Sequence, residues 1–221
     1  MKLVYKNVGH VLQLGGGSVA ELVVENKKLF CQMVGDLFTQ AEGLSGGFVL
    51  SLSDKPIEIS KNIDVIVQFS PFQLNKKSLL TKLHSALEQN AMKSENYLKT
   101  GELLSSLEAF VTELAEDLPF EIRCQKVAIG PVLRALAPEV DEDEKSTLEK
   151  VFHYMEIVRE LDRDRLFVMV NMRSYFSDED MERFTESAVL HDFKTLLLES
   201  VSFPRLQNVK RYTVDEDLCE F

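Results

Sequence analysis

The hydrophobic positions near the end of the chain predict a strand that is covered on both faces. Residues 165–170, Arg-Leu-Phe-Val-Met-Val, are apolar without alternation, which is typical of a parallel strand between two layers. Ser177 and the acids after it suit a helix N-terminus, and this helix is predicted to run to about Phe193, before a strand at Thr195–Leu198. The order predicts a strand–helix–strand unit of a parallel sheet.

The first third of the chain alternates between apolar and polar residues in the manner of β-strands. The pattern predicts a helix from Asn26 to about Thr39, and strands at Lys2–Tyr5, His10–Leu14, Val19–Val24, Phe48–Leu52 and Ile63–Phe69. The predicted fold class is therefore α/β, with a mixed sheet and flanking helices built from both ends of the chain.

The middle of the chain changes to a helical period. One apolar stripe runs from Leu80 to Ala91 and a second from Leu103 to Leu118, and residues 99–101 separate them. We therefore predict an α-helical leg domain, residues 75–138, inserted into a head domain that is formed by residues 1–74 and 139–221.

The composition is that of a globular protein, with 221 residues of which 45% are apolar. No apolar run approaches the roughly 18 to 20 residues that a membrane span requires, and the first residues favour a strand over a signal peptide. The protein is therefore expected in the cytoplasm and away from membranes. Its three cysteines are far apart and lack metal or redox spacing, so we interpret them as ordinary thiols.

Charge is distributed unevenly along the chain, whose formal net charge is −11. Residues 55–100 carry seven lysines against four acids, whereas residues 101–164 carry seven bases against sixteen acids. A basic segment in an acidic molecule can give one face that binds phosphates while the rest repels them. A lysine-rich helix that is merely solvated explains the same pattern.

The sequence lacks the groups that nucleotide hydrolysis requires. The glycines at 15–17 are followed by a predicted strand and have no Gly-Lys-Ser/Thr ending, so a simple turn is favoured. Asn171 ends the strand on which a nucleotide hydrolase would carry an acid, and an amide cannot hold magnesium or activate water in the same way. The four histidines have neither triad nor metal spacing. We predict a protein that is not an enzyme and uses no nucleotide.

A basic helix is the best candidate for a binding site. Lys82 and Lys93 are eleven residues apart, three helical turns, so they are predicted to share one face with Gln89. Lys76 and Lys77 stand at the entrance of the same helix. Such a face can follow the phosphate backbone of a duplex, and the lack of interleaved aromatic residues argues against single-strand stacking.

Five segments resemble those of a known family. They are residues 78–84 (Ser-Leu-Leu-Thr-Lys-Leu-His), 148–152 (Leu-Glu-Lys-Val-Phe), 166–171 (Leu-Phe-Val-Met-Val-Asn), 194–199 (Lys-Thr-Leu-Leu-Leu-Glu) and 211–218 (Arg-Tyr-Thr-Val-Asp-Glu-Asp-Leu). Together with the order of elements, they resemble the CRISPR-associated adaptation proteins of type II-A systems, the Csn-two family, in its short form.

The resemblance implies a specific function. Members of that family are non-enzymatic, have a degenerate P-loop-NTPase-like head and a helical leg, and form homotetrameric rings that bind the ends of double-stranded DNA in a lysine-lined hole. They bind calcium and support the acquisition of new spacers, and the implied partners are the CRISPR spacer integrase and the RNA-guided effector nuclease. The resemblance assigns DNA binding to Lys82 and Arg134, and the charge pattern adds Lys76, Lys77, Lys93, Arg123 and Lys126.

The calcium ligands implied by the resemblance fall at the end of the second leg helix. The candidates are Glu113, Glu116, Asp117 and Glu121, in a stretch that Pro119 interrupts and that bases follow. Acids on a solvated helix end explain these residues equally well. The separate acidic run at 141–144 is better explained by the dipole of the helix that follows it.

Two function classes remain open from the sequence. The first is the DNA-end-binding adaptation protein. The second is a cytosolic scaffold of the adaptation complex that binds only protein partners and whose lysines are simply solvated. Charge reversal of Lys82 and Lys93 is expected to abolish duplex binding under the first hypothesis and to change nothing under the second.

Overall fold

The computed structural model describes residues 1–142, 145–162 and 165–221, which form two compact units. The head unit combines Met1–Phe72 with Glu144–Phe221, and the leg unit is Gln73–Asp143. The head therefore uses both ends of the chain, and the leg is one continuous segment.

The described residues form nine strands, seven α-helices and one 3-10 turn. In chain order they are β1 (Lys2–Tyr5), β2 (Leu12–Gln13), β3 (Val19–Val24), α1 (Lys27–Ala41), β4 (Phe48–Leu52), β5 (Lys55–Ile57), α2 (Ile59–Asn62), β6 (Ile63–Ile66), α3 (Lys77–Ala91), α4 (Ser94–Leu114), α5 (Ile129–Leu136), α6 (Thr147–Leu161), β7 (Leu166–Val170), the 3-10 turn (Met172–Ser174), α7 (Asp178–Leu190), β8 (Lys194–Glu199) and β9 (Val209–Val214). Every helix within the described residues is too short or too polar to cross a bilayer.

Five strands form a wholly parallel sheet in the order β6, β7, β8, β3, β9. All residues of β3 and β7 are buried, as expected for parallel strands covered on both faces. One face contributes Leu22, Val168 and Leu196 to a core cluster that also contains Met33 and Leu37 of α1. The continuous apolar run at 166–170 therefore lies inside the parallel sheet, as predicted.

The remaining four strands form a separate antiparallel sheet in the order β2, β1, β4, β5. The prediction of one mixed sheet is therefore wrong. Strands β4 and β5 are joined by Ser53 and Asp54 alone, both with positive φ, and a two-residue turn of this kind allows only antiparallel pairing. The two-residue turn therefore pairs β4 with β5 in the antiparallel sheet.

The leg helices divide at a different place from the predicted one. Met92 and Lys93 separate α3 from α4, whereas residues 99–101 lie within α4. The hydroxyl of Thr100 donates to the carbonyl oxygen of Ala91 at 2.9 Å, which satisfies one of the orphaned carbonyls at the end of α3. Thr100, which the sequence pattern placed in the break between the helices, therefore lies within α4 and bonds back to the end of α3.

Serine residues cap the two C-terminal head helices, and the start of α7 confirms the prediction made from Ser177. Ser146 caps α6 with a capping box, in which its hydroxyl accepts from the N–H of Glu149 and the carboxylate of Glu149 accepts from the N–H of Ser146. Ser177 caps α7 by accepting a hydrogen bond from the N–H of Asp180 at 3.1 Å. The predicted acidic run before α6 includes residues 143 and 144, which lie outside the described residues.

Candidate nucleic-acid interface

The N-terminus of α3 combines positive side chains with a positive helix end. Lys76 is the N-cap residue and Lys77 is the exposed first residue of the helix. A lysine side chain has no acceptor and cannot cap the N–H groups of the first turn, and no acid stands in that turn. The lysine side chains and the helix dipole favour an anion at this end, where the carboxylate of Glu142 already accepts from the backbone N–H and the side-chain amide of Asn75.

Lys82 lies one turn further along α3 and is half-buried. Its neighbours at helical spacing are Ser78, Ser85 and Gln89, all exposed and all able to donate hydrogen bonds. Leu79, in contrast, is buried, so the polar side chains lie on the open part of the helix surface. This surface offers the charged and neutral donors that commonly contact phosphate oxygens.

Helix α5 packs against α3 within the leg unit. A Cβ atom added at Gly130, in the first turn of α5, would lie 2.8 Å from a carboxylate oxygen of Glu88 in α3, so the two helices are in close contact here. The carboxylate also lies against the positive end of α5, which is electrostatically favourable. Arg134, exposed in the last turn of α5, is thereby held on a helix that is packed against the one carrying Lys82.

The remaining predicted bases do not extend the α3 face. Lys93 lies beyond the end of α3 and is the exposed N-cap of α4, so the prediction that it shares a helix face with Lys82 and Gln89 is wrong. Arg123 and Lys126 are exposed in the irregular stretch between α4 and α5. The structure therefore brings Lys76, Lys77 and Lys82 onto one helix and distributes the others around it.

The four predicted calcium ligands are all exposed. Glu113 is in the last turn of α4, Glu116 and Asp117 follow the helix, and Glu121 is in the irregular stretch. Across residues 1–142, 145–162 and 165–221, no group of three or more His, Cys, Asp or Glu side chains is placed to hold a metal ion. As they lie within one chain, these carboxylates do not fit a calcium site, which needs six to eight converging oxygens.

Helix α4 exposes an apolar face that the sequence pattern did not mark as exposed. Leu103, Leu107, Phe110 and Leu114 repeat at spacings of four, three and four, and they are 38 to 64% exposed. None of the 21 residues of α4, all of them described, is buried. We call these four side chains the α4 seam. Their spacing is that of the core positions of a coiled coil.

The head contains a buried ionic cluster that sequence reasoning missed. Glu21, in the middle of β3, accepts a hydrogen bond from Nη1 of Arg173 at 2.9 Å and another from Nε of Arg211. Nη2 of Arg173 donates to Asp178 at 2.8 Å, and its backbone N–H donates to Oε1 of Glu199 at 3.1 Å. The signal was present in the sequence, because Glu21 is the one acid of an otherwise apolar strand and buried acids require partners.

Glu199 is the least well satisfied member of this cluster. Burial raises its pKa to about 7, and the nearby negative charge of Glu21 acts in the same direction. Among the described residues, Oε2 of Glu199, Nε of Arg173 and the hydroxyl of Thr195 are buried without a hydrogen-bond partner. Two of these atoms belong to Glu199 and Arg173, which are already linked by the hydrogen bond from the backbone N–H of Arg173 to Oε1 of Glu199.

The places where a nucleotide hydrolase would carry its phosphate loop and its acid are used structurally. Only Glu25 and Asn26 connect β3 to α1, and the amide oxygen of Asn26 accepts from the N–H of Leu29 as a helix cap. Asn171 has positive φ, and its amide oxygen accepts from the N–H of Ser200 at 2.8 Å. The glycines at 15–17 lie before β3, and only Ser18 separates them from it.

Comparison with known proteins identifies a family and a related sequence. The family model described as CRISPR-associated protein (Cas_Csn2) matches residues 40–218. A CRISPR-associated protein Csn2 from Streptococcus agalactiae is 22% identical over 150 residues, which cover 66% of this chain and 65% of that protein, so the chain spans slightly less than two thirds of this relative.

The crystal structure of Stu0660 of Streptococcus thermophilus is similar with a TM-score of 0.59 at 14% identity. The match covers 94% of this chain and 70% of that one. At this identity the likeness concerns the fold alone.

Proposed function

The chain belongs to the Cas_Csn2 family of CRISPR-associated proteins, and we propose that it is a non-enzymatic protein of CRISPR adaptation that forms a ring and binds the ends of double-stranded DNA. The adaptation role comes with the family. The DNA contact, the ring and the lack of catalysis are proposals that rest on the surfaces described above.

The basic face of α3 is the observation that carries the DNA-binding proposal. It combines Lys76, Lys77 and Lys82 with exposed hydroxyl and amide donors, in a chain whose net charge is −11. Such groups bind the phosphate backbone and do not read bases, so binding is proposed to be independent of sequence. The acidic remainder of the molecule would repel DNA elsewhere and confine it to this face.

Ring formation is proposed to multiply this small basic face. Two or three lysines of one protomer neutralise too few phosphates for tight binding, whereas copies arranged around a duplex would together make about six to ten contacts. Affinity would then fall by about 10³ to 10⁵ between about 50 and 200 mM salt. The α4 seam, with its coiled-coil spacing, is a surface through which a second copy could associate. The number of protomers, four, follows from the family resemblance.

The head is proposed to be a degenerate P-loop-NTPase-like domain that uses no nucleotide. Its wholly parallel sheet has the strand–helix connection of that class, but the connection after β3 is two residues long and leaves no room for a phosphate loop. Asn171, which follows β7, is occupied in holding Ser200.

Calcium and the protein partners are proposed on the family resemblance. Because the four acids of the leg do not form a site within one chain, a calcium site made from Glu113, Glu116, Asp117 and Glu121 would need carboxylates from a second copy or a rearranged segment. The proposed partners are the spacer integrase and the RNA-guided effector nuclease, in the cytoplasm. A calcium-dependent rise in assembly mass, lost in Glu116→Gln with Asp117→Asn, would support this metal site.

Charge reversal on α3 tests the DNA-binding proposal. Lys77→Glu with Lys82→Glu should abolish binding of a linear duplex at low salt, because it replaces two positive charges by two negative ones on the proposed contact face. The matched control is Lys27→Glu with Lys28→Glu, the same change on two exposed head lysines of α1, which should leave binding close to that of the unmodified protein. Equal binding by all three proteins would contradict the proposal.

A scaffold function is the second candidate, and the α4 seam is the observation that favours it. Four large apolar side chains exposed on one helix are typical of a protein-binding surface. Under this proposal the seam binds an adaptation partner and α3 is simply solvated. Partner binding that survives the α3 double variant, without any duplex binding by the unmodified protein, would establish the scaffold.

A further inference from the structure

The segment 200–207, which connects β8 to β9, is held over the buried cluster by two arginines. The guanidinium of Arg173 stacks on the ring of Phe203, with its central carbon 4.9 Å from the ring centroid. Arg211 donates from Nη1 to the hydroxyl of Ser202 at 3.4 Å and from Nη2 to the carbonyl of Pro204 at 3.1 Å. Ser200 is also bonded to Asn171 and Leu206 is buried, so the two guanidinium groups hold the middle of the segment, residues 202–204.

Glu21 sets the direction of both arginines. Its two carboxylate oxygens accept from Arg173 and from Arg211, and its side chain is almost completely buried. Asp178 at the start of α7 takes the second terminal nitrogen of Arg173. With Glu21 and Asp178 ionised, the two negative and two positive charges of this arrangement balance.

Glu199 is the fifth charged group of the cluster and disturbs this balance when it ionises. Glu199 faces Arg173 of the 3-10 turn, through both its backbone N–H and its guanidinium, and Glu21 of β3. Asp178 of α7 and Arg211 of β9 complete the cluster. Its Oε2 and the Nε of Arg173 are both buried and unpaired among the described residues. A protonated Glu199 leaves Arg173 with Glu21 and Asp178, whereas an ionised Glu199 offers Arg173 a third anionic partner, at the unpaired Nε.

We propose that Glu199 and Arg173 form a proton-operated switch that fixes or releases the segment 200–207 of the head. When Glu199 is protonated, Arg173 stays bonded to Glu21 and stacked on Phe203, and the segment is closed. When Glu199 loses its proton to solvent, the guanidinium turns to pair Nε with Oε2, the stack on Phe203 is lost and the segment loosens. The two states differ in composition by one proton, which is exchanged with solvent, and no other reactant is required.

The switch operates in the neutral range. Burial raises the pKa of Glu199 to about 7, so both protonation states are populated near neutral pH. The segment that responds connects β8 to β9, the two strands that pair with β3 on either side. The proposal goes beyond DNA binding, because it concerns the head and holds whether or not α3 contacts a duplex.

A single tryptophan can report the state of the segment, because the chain has none. The Phe203→Trp variant, as the full chain, should show a change in emission with a midpoint near pH 7, as the indole leaves the guanidinium of Arg173. Adding Glu199→Gln, which mimics the protonated acid, should remove the transition. Adding Glu186→Gln, an exposed acid of α7, should leave the transition in place.

Direct titration keeps the proposal testable if the tryptophan perturbs the segment. In the otherwise unmodified protein with ¹³C-labelled glutamate, the carboxyl signal that Glu199→Gln removes should titrate near pH 7, together with the side-chain Nε–H signal of Arg173. An emission transition that persists in Glu199→Gln would overturn the switch. So would a Glu199 carboxyl signal that titrates near pH 4.5, the ordinary value of a glutamate.

Discussion

Glu21 is the residue on which the buried head cluster depends. It lies in the middle of β3 with two guanidinium groups against its carboxylate and almost no contact with solvent. Removing one partner of such a buried pair costs more than the pair contributes, because an uncompensated charge remains in a low-dielectric environment. The local structure of the head therefore depends on the negative charge of Glu21, which is buried in an otherwise apolar strand.

We expect Glu21→Gln to lower the free energy of unfolding by about 3 to 5 kcal/mol, because Arg173 and Arg211 lose their shared counter-charge. Urea unfolding followed by circular dichroism measures this change. Glu186→Gln, at an exposed position of α7, is the matched control and should change the free energy by less than about 0.5 kcal/mol. A loss below about 1 kcal/mol for Glu21→Gln would contradict the described network.

Glu199 gives the head a pH dependence whose sign is fixed by its raised pKa. The folded pKa of about 7 exceeds the ordinary value of 4.5, so the folded state holds the proton more tightly than the unfolded state. The resulting stabilisation is fully present below about pH 4.5, declines as the pH rises, and is lost above about pH 7. Urea unfolding at pH 5 and pH 8 should show this decline, and Glu199→Gln should flatten it. An equal decline in both proteins would assign it to other groups.

At the level of residues, the sequence shows which side chains are charged but does not show which of them form ion pairs. The bounds of β3 were predictable, but nothing local indicated that Glu21 and Arg173 meet, because they are 152 positions apart in the chain. The chemical type of Asn171 was informative, since the absence of an acid there could be seen directly. Pairings across long separations depend on strand order, which one sequence does not specify.

At the level of elements, continuous or strictly alternating patterns were predicted well. The bounds of β1, β3 and β4 agree with the predicted ones, because each has a clear period and a clear start. The break between α3 and α4 was misplaced, because a glycine at 101 resembles a helix stop, yet the exposed interior of a helix tolerates it at about 1 kcal/mol. That error also misplaced Lys93, which was assigned to a helix that ends before it.

We expect the α4 seam to control assembly. Leu107→Ser with Phe110→Ser should lower the mass measured by light scattering, because it removes two central apolar side chains from the proposed contact between copies. Since no residue of α4 is buried in the protomer, the thermal unfolding of the head and the helical content should change little. The control is Thr112→Ala with Ser105→Ala, at exposed polar positions of the same helix. Unchanged mass in the seam variant would exclude α4 as the assembly surface.

At the level of the whole molecule, the two faces of the leg differ in chemistry. The face of α3 is basic and polar, whereas α4 is apolar along its seam and carries mostly acids among its charges. This difference in chemistry agrees with the proposal that α3 binds DNA and α4 binds protein. Family membership and the helical insertion were predictable from the sequence, whereas the calcium ligands depended on the resemblance and find no site within one chain.

The most direct test of the account compares a linear duplex with a closed circle of the same sequence, using the full protein at about 50 and 200 mM salt. A ring that threads DNA through its lysine-lined hole should bind the linear duplex only, lose affinity by about 10³-fold or more at the higher salt, and lose binding altogether in Lys77→Glu with Lys82→Glu. Equal binding of the circle and the linear duplex, or affinity that does not depend on salt, would contradict it.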